Sequence, residues 1–183
     1  MIGLYITLGI ILLLVIWIIS TYNGFIKSKL LVENNYSQIK IQCKKRFDLI
    51  PNLVETVKGF AKHEKETLEN VIMARNMGAS ANSPVALSDA NNQLTQTLGK
   101  LFALSEAYPD LKANTNFTNL QNQLTSIEKS IMVSRQFYND SAMMYNRKIM
   151  VFPKNIIANM FRFERAEFFD APKEEIQNVK VSF

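Results

Sequence analysis

The sequence predicts an all-α protein: an N-terminal transmembrane helix, followed by an antiparallel bundle of three long helices plus a short C-terminal helix. Three observations carry this. Residues 2–20 form an uncharged apolar run, the segments beyond residue 36 repeat their apolar residues at steps of three and four, and no strand pattern competes with those helical stripes, the closing Val179-Lys180-Val181-Ser182-Phe183 being assigned to no element.

The apolar run comes first. None of the charged side chains precedes Lys27. About 20 residues at a rise of about 1.5 Å span the roughly 30 Å of a bilayer core, so the stretch bounded by Ile2 and Ser20 is long enough to cross one. Trp17 and Tyr22 stand where interfacial aromatics are found. A cleaved secretion signal fits less well, because the run lacks a charged start and a small-residue cleavage site. Lysines occur only after the run, at Lys27, Lys29 and Lys40, and positive charge stays on the cytoplasmic side. The expectation is a single pass through the inner membrane, with the amino end outside and the remainder cytoplasmic. The domain reading is an anchor over 1–22, a juxtamembrane connection over 23–35 and a helical bundle over 36–183.

Charge narrows the partners. Residues 27–46 hold six basic side chains against Glu33, which accounts for the whole net charge of +5. The rest is balanced and lacks the basic stripe that a phosphate backbone demands, so nucleic acid is not expected. Membrane lipids through the anchor, and other membrane proteins, are the expected partners. With one Cys and one His, the chain can build neither an internal disulfide nor a Cys/His zinc site, and no metal or cofactor is expected. Cys43 lies on an apolar face and reads as a packed, reduced thiol.

The helices follow from periodicity. Ile39, Cys43, Phe47, Ile50, Val54, Val57, Ala61, Leu68 and Ile72 form one stripe, predicting a first helix that persists, kinked, through Pro51. Asn23 and Gly24 read as a weak point between anchor and stalk. The turn-forming residues of 76–85 predict a loop. A second helix carries Leu87, Leu94, Leu98 and Leu101, with Ser88 or Asp89 as its cap, and ends near Pro109. A third runs from Phe117 through Ile131, Tyr138 and Tyr145 to Ile149 and stops at Pro153, and a short helix follows over 155–161. Such stripes must cover one another, which antiparallel packing achieves.

Three constellations suggest chemistry. His63-Glu64 opens like a zinc-protease helix, but position 67 is Thr, and one imidazole does not make a site. Asp48, Asn52 and Glu55 share a helical side beside Pro51. They are paired polar groups that either run acid–base chemistry or bond the backbone freed by the proline. Arg135, Tyr138, Asn139, Tyr145 and Asn146 lie on one face, with Tyr-Asn repeated at seven residues, and predict a buried hydrogen-bond network or a peptide groove. No nucleophile stands beside a base, so hydrolysis of the serine or cysteine type is disfavoured.

The run Arg46-Phe47-Asp48-Leu49-Ile50-Pro51-Asn52, followed by Val57-Lys58-Gly59-Phe60-Ala61 and Arg75, resembles the first signature of the bacterial LemA family. Leu120-Gln121, Glu128, Arg135, Tyr138-Asn139, Tyr145-Asn146 and Phe152-Pro153 resemble its second, and Phe168-Phe169 with Val181-Ser182-Phe183 resemble its tail. The resemblance implies a single-pass membrane protein with a cytoplasmic helical domain, no enzymatic activity and no catalytic residues to carry over. Arg46, Asp48, Pro51, Asn52, Arg135, Tyr138, Asn139, Tyr145 and Asn146 are therefore expected to be architecture first and a partner surface second. The functional expectation is a non-enzymatic, membrane-anchored adaptor or scaffold. The alternative is a membrane-organising protein that associates with itself as a homo-oligomer.

Overall fold

In a computed structural model that describes residues 2–169, the chain folds into α1 (Ile2–Lys58), α2 (Lys65–Ala79), α3 (Pro84–Ser105), α4 (Pro109–Lys112), α5 (Thr115–Met150) and α6 (Lys154–Met160). The described residues contain no strand. The closing Val181-Ser182-Phe183 lies outside them.

One helix is both apolar span and bundle core. The 57 residues of α1 correspond to about 86 Å. Its first part is long and apolar enough to cross a membrane and is exposed apart from the half-buried Ile18. Burial begins at Thr21 and recurs at Phe25, Ser28, Val32, Ile39 and Cys43, the spacing of a single helical stripe. The weak point expected at Asn23 and Gly24 is helical. A glycine inside a helix costs only about 1 kcal/mol, and Thr21 and Phe25 are buried on either side of it.

Pro51 also lies inside α1. Proline has no amide hydrogen, so the carbonyl of Phe47, four residues back, loses its helical donor. Arg75 of α2 supplies one, its Nε donating to Phe47 O at 3.4 Å.

The first helix does not continue to Ile72. It ends at Lys58, where Val57 O accepts from Phe60 N at 3.0 Å and Ala61 N at 2.8 Å, and the chain reverses before α2. Ala61 and Leu68 are buried as their spacing predicted, whereas Ile72 is exposed. Periodicity reported which side chains face the core and was blind to the reversal between them. On its return α2 passes close to α1: a Cβ placed on Gly78 would lie 2.3 Å from the Phe47 ring.

The loop after α2 is confined to residues 80–83, shorter than expected. The cap of α3 is Ser83, whose hydroxyl accepts from Ala86 N at 3.2 Å, with Pro84 at the first helical position; it is neither Ser88 nor Asp89. Asn114 caps α5 in the same way through Phe117 N at 3.0 Å. The long α5 lies antiparallel to α1, as Lys148 to Ser28, Asn35 to Phe137 and Arg46 to Glu128 pair across the seam. The α2–α3 hairpin covers only the half distal to the apolar span.

Gly78→Ala is expected to destabilise the fold by about 1–3 kcal/mol, because the added methyl must displace a buried ring. Gly99→Ala, in open surroundings within α3, should instead stabilise by about 0.5–1 kcal/mol. Urea unfolding of the two variants checks the opposite signs.

Candidate functional site

The Tyr-Asn face of α5 holds the chain's own tail. After α6, residues 163–169 run back along α5 without regular structure. The Asn146 side chain pairs with both backbone groups of Ala166, its Nδ2 donating to O at 2.9 Å and its Oδ1 accepting from N at 2.8 Å. Asn139 does the same with Phe169, at 3.0 and 2.9 Å. The tyrosines alternate with them: Tyr145 OH donates to Glu164 O at 2.9 Å and Tyr138 OH to Glu167 O at 2.6 Å. A step of seven along a helix is about 10.5 Å, and three residues of extended chain cover about 10 Å. The heptad repeat of Tyr-Asn therefore meets a three-residue repeat of the tail in register. Burial pushes the Tyr138 hydroxyl up to about 12, with Tyr36 and Glu167 adding to the effect, so it remains a neutral donor. The Arg135 guanidinium lies 5.8 Å from the Phe169 ring centre.

A second polar cluster sits where the hairpin meets the seam. Arg46 of α1 is only 3% exposed. Its Nη1 donates to Asn91 Oδ1 at 2.6 Å, its Nη2 donates to Thr95 Oγ1 at 3.0 Å, and Nη1 stands 2.7 Å from Glu128 Oε2. One guanidinium thus ties α1 to α3 and α5. The Glu128 contact is an ion pair without the alignment of a hydrogen bond, and Arg46 Nε has no acceptor. Burial lowers the affinity of Arg46 for its proton, and Glu128 opposes that. Cys43, one turn away, is a free thiol that burial pushes up to about 12, against the charge of Arg46. It stays protonated and inert at neutral pH.

The other candidates are not brought together. Asp48 is exposed and pairs with Lys44 at 3.0 Å, while Glu55 pairs with Lys58 at 3.1 Å. Pro51 and Asn52 are exposed. The carbonyl that Pro51 frees needs a donor, which no carboxylate provides, and Arg75 takes that role from another helix. His63 is exposed, and Glu64 accepts from Tyr108 OH at 3.1 Å. Among the described residues, no three His, Cys, Asp or Glu side chains are grouped to hold a metal. Sequence reasoning missed Asn91 and Thr95, which occupy ordinary polar positions on α3 and gain their meaning only from the guanidinium that reaches them.

The LemA family profile matches residues 35–183. The chain belongs to the LemA family. Protein LemA of Metamycoplasma hominis is 28% identical over 154 residues, covering 82% of this chain and 68% of the relative. Magnetosome protein MamQ 2 of Paramagnetospirillum magneticum is 24% identical over 174 residues, covering 81% of this chain and 64% of the relative. Magnetosome protein MamQ of Magnetospirillum gryphiswaldense is 31% identical over 84 residues, which is 46% of this chain and 31% of that protein. The matches to the first two therefore span about two thirds of each relative's length. Within this LemA-family fold the matched region holds both polar clusters.

Replacing Asn139 and Asn146 by Ala removes two backbone bonds apiece and should loosen the tail by about 1–3 kcal/mol per site. Trypsin cleavage after Arg165 is expected to accelerate, while the midpoint of helix unfolding moves little. At the second cluster, Glu128→Ala leaves the buried guanidinium without its countercharge and should cost about 3 kcal/mol, whereas Arg46→Met removes the charge itself and should cost less. Thermal unfolding ranks the two.

Proposed function

We propose that this LemA-family chain is a non-enzymatic, membrane-anchored scaffold, its amino end outside and its bundle displayed on the cytoplasmic face of the inner membrane. The observation that carries the reading is the continuity of α1: residues 2–20 are apolar and, apart from Ile18, exposed, and the same helix then becomes the central element of the bundle. A bundle built on its own anchor holds a fixed orientation to the bilayer. Confinement to one surface raises encounter with other membrane proteins without a strong interface. The Tyr-Asn cluster supports a structural role, since its hydroxyls and amides are engaged with the backbone of the tail, and the Arg46 cluster supports it through the bonds of both Nη atoms to α3.

A second reading, self-association into a membrane-organising array, is favoured by an apolar stripe on the outer face of α5. Met132, Val133, Phe137, Met143 and Met144 are each at least half exposed there. A second copy is the partner always available to such a stripe.

Protease added to intact spheroplasts is expected to spare the bundle and to digest it once the membrane is opened. Digestion before opening refutes the stated topology. Deleting residues 2–20 should move the chain to the soluble fraction and erase its set of proximity-labelled neighbours. Disulfide cross-linking of Phe137→Cys in membranes separates the two readings, because a covalent dimer forms only where α5 meets its own copy.

A further inference from the structure

The corner between α5 and α6 lies level with the end of the apolar span. The Tyr22 ring packs on Phe161 at 4.9 Å and on Phe163 at 5.6 Å, and Phe25 packs on Phe163 at 5.1 Å. Lys148 Nζ donates to Ser28 Oγ at 2.6 Å. Ile18, within the span, already packs against the core. With a span of about 20 residues, these contacts put α6 in the headgroup layer.

What this corner exposes suits that layer. Phe152 is 75% exposed, Ile156 58% and Met160 59%, while Ile157 and Ala158 are buried on the opposite side of α6. The two segments that meet at this corner are rich in cations. Residues 21–33 and 147–165 hold seven basic side chains against Glu33 and Glu164 alone. Three of the seven, Lys29, Arg162 and Arg165, line a cleft of about 460 Å³ together with Tyr22, Glu33 and Glu164.

Arg162 is also held in an unusual backbone conformation. Its φ is +56°, in the left-handed region. It closes α6 with the paired bonds of a helix stop, Phe163 N to Ala158 O at 2.9 Å and Arg162 N to Asn159 O at 3.2 Å. Glycine is the residue usually found at this position, because a side chain is strained there. A strained arginine that lines this cleft beside Lys29 and Arg165 points to a role for its guanidinium.

We infer that the α5–α6 corner is a second membrane contact, in which Phe152, Ile156 and Met160 enter the headgroup layer of an anionic leaflet and Arg162, Arg165 and Lys29 bind lipid phosphate. Aromatic and aliphatic side chains set among Lys and Arg are the composition of interfacial segments, and basic groups within a Debye length of the surface are attracted to anionic lipid. The tail then leaves the corner and runs away from the span along α5. The inference rests on the anchor reading above, and its test keeps the two apart.

The full chain carrying Met160→Cys, or Lys100→Cys at the far end of the bundle, is labelled with a fluorophore and reconstituted into vesicles. The vesicles contain phosphatidylcholine alone or mixed with phosphatidylglycerol, at less than one chain per vesicle. Buried Cys43 stays unlabelled. Bromolipid quenching of Trp17, the single tryptophan, reports the anchor. The label at 160 is expected to be quenched several-fold more by headgroup spin-labelled lipid than the label at 100, and to be shielded from acrylamide. Phosphatidylglycerol should strengthen both effects. Arg162→Glu with Arg165→Glu should abolish that increment with helicity unchanged. Trp17 within the bilayer but a label at 160 as open to acrylamide as the label at 100 overturns the inference alone, as does shielding that appears only when chains are crowded. Trp17 outside the bilayer overturns the anchor reading and this inference together.

Discussion

The α1–α5 pair is longer than the hairpin that covers it. At a rise of about 1.5 Å, the 36 residues of α5 extend about 54 Å and the 22 residues of α3 about 33 Å. About 20 Å of seam is left over. Residues 163–169, extended at about 3.3 Å each, supply about 23 Å. The tail thus completes the core where the hairpin does not reach. Extended chain has backbone groups that no helix satisfies, so the face beneath it must carry amides and hydroxyls as well as apolar bulk. Asn139, Asn146, Tyr138 and Tyr145 meet both demands, and their spacing is that of the segment they hold.

Arg46 stands where the two kinds of cover meet. A buried guanidinium offers five donors, and the structure answers with Asn91, Thr95 and Glu128 from two other helices. Such a cluster is weak evidence for stability, since apolar packing of equal volume is often as good. It is better understood as fixing register: a shift of either helix by one turn would strand a charge. Phe47 beside it adds a steric constraint, its ring against Gly78 and its carbonyl on Arg75. Consecutive residues of α1 therefore position all three of the other long elements.

The parts legible in the sequence were those set by local chemistry. The apolar run, the stripe Ile39-Cys43-Phe47-Ile50, the α5 seam and the stop at Pro153 follow from hydropathy, period and proline alone. The Tyr-Asn repeat announced a polar interface on α5, yet named no partner, because its partner is irregular chain 19–30 residues downstream and carries no periodicity. The reversal after Lys58 was hidden because Ala61 and Leu68 stay in phase with the stripe across it. The partners of Arg46 were illegible for another reason: Asn91 and Thr95 are ordinary residues until a helix 45 residues earlier in the chain packs beside them.

The continuity of α1 has a mechanical meaning. A membrane protein whose span and soluble domain are joined by a flexible segment presents its surfaces in all directions, whereas here Thr21, Phe25 and Ser28 are buried directly beyond the span. Bending the helix there would pull Tyr22 and Phe25 away from Phe161 and Phe163 and strip Lys148 from Ser28. Those contacts act as a bracket at the point of greatest leverage. Under the proposed anchoring, the tilt of the span would be transmitted to the bundle, and the faces of α3 and α5 would be held at set angles to the bilayer. Under the proposed scaffold function, this fixed orientation would decide which faces of the bundle meet partners confined to the same membrane.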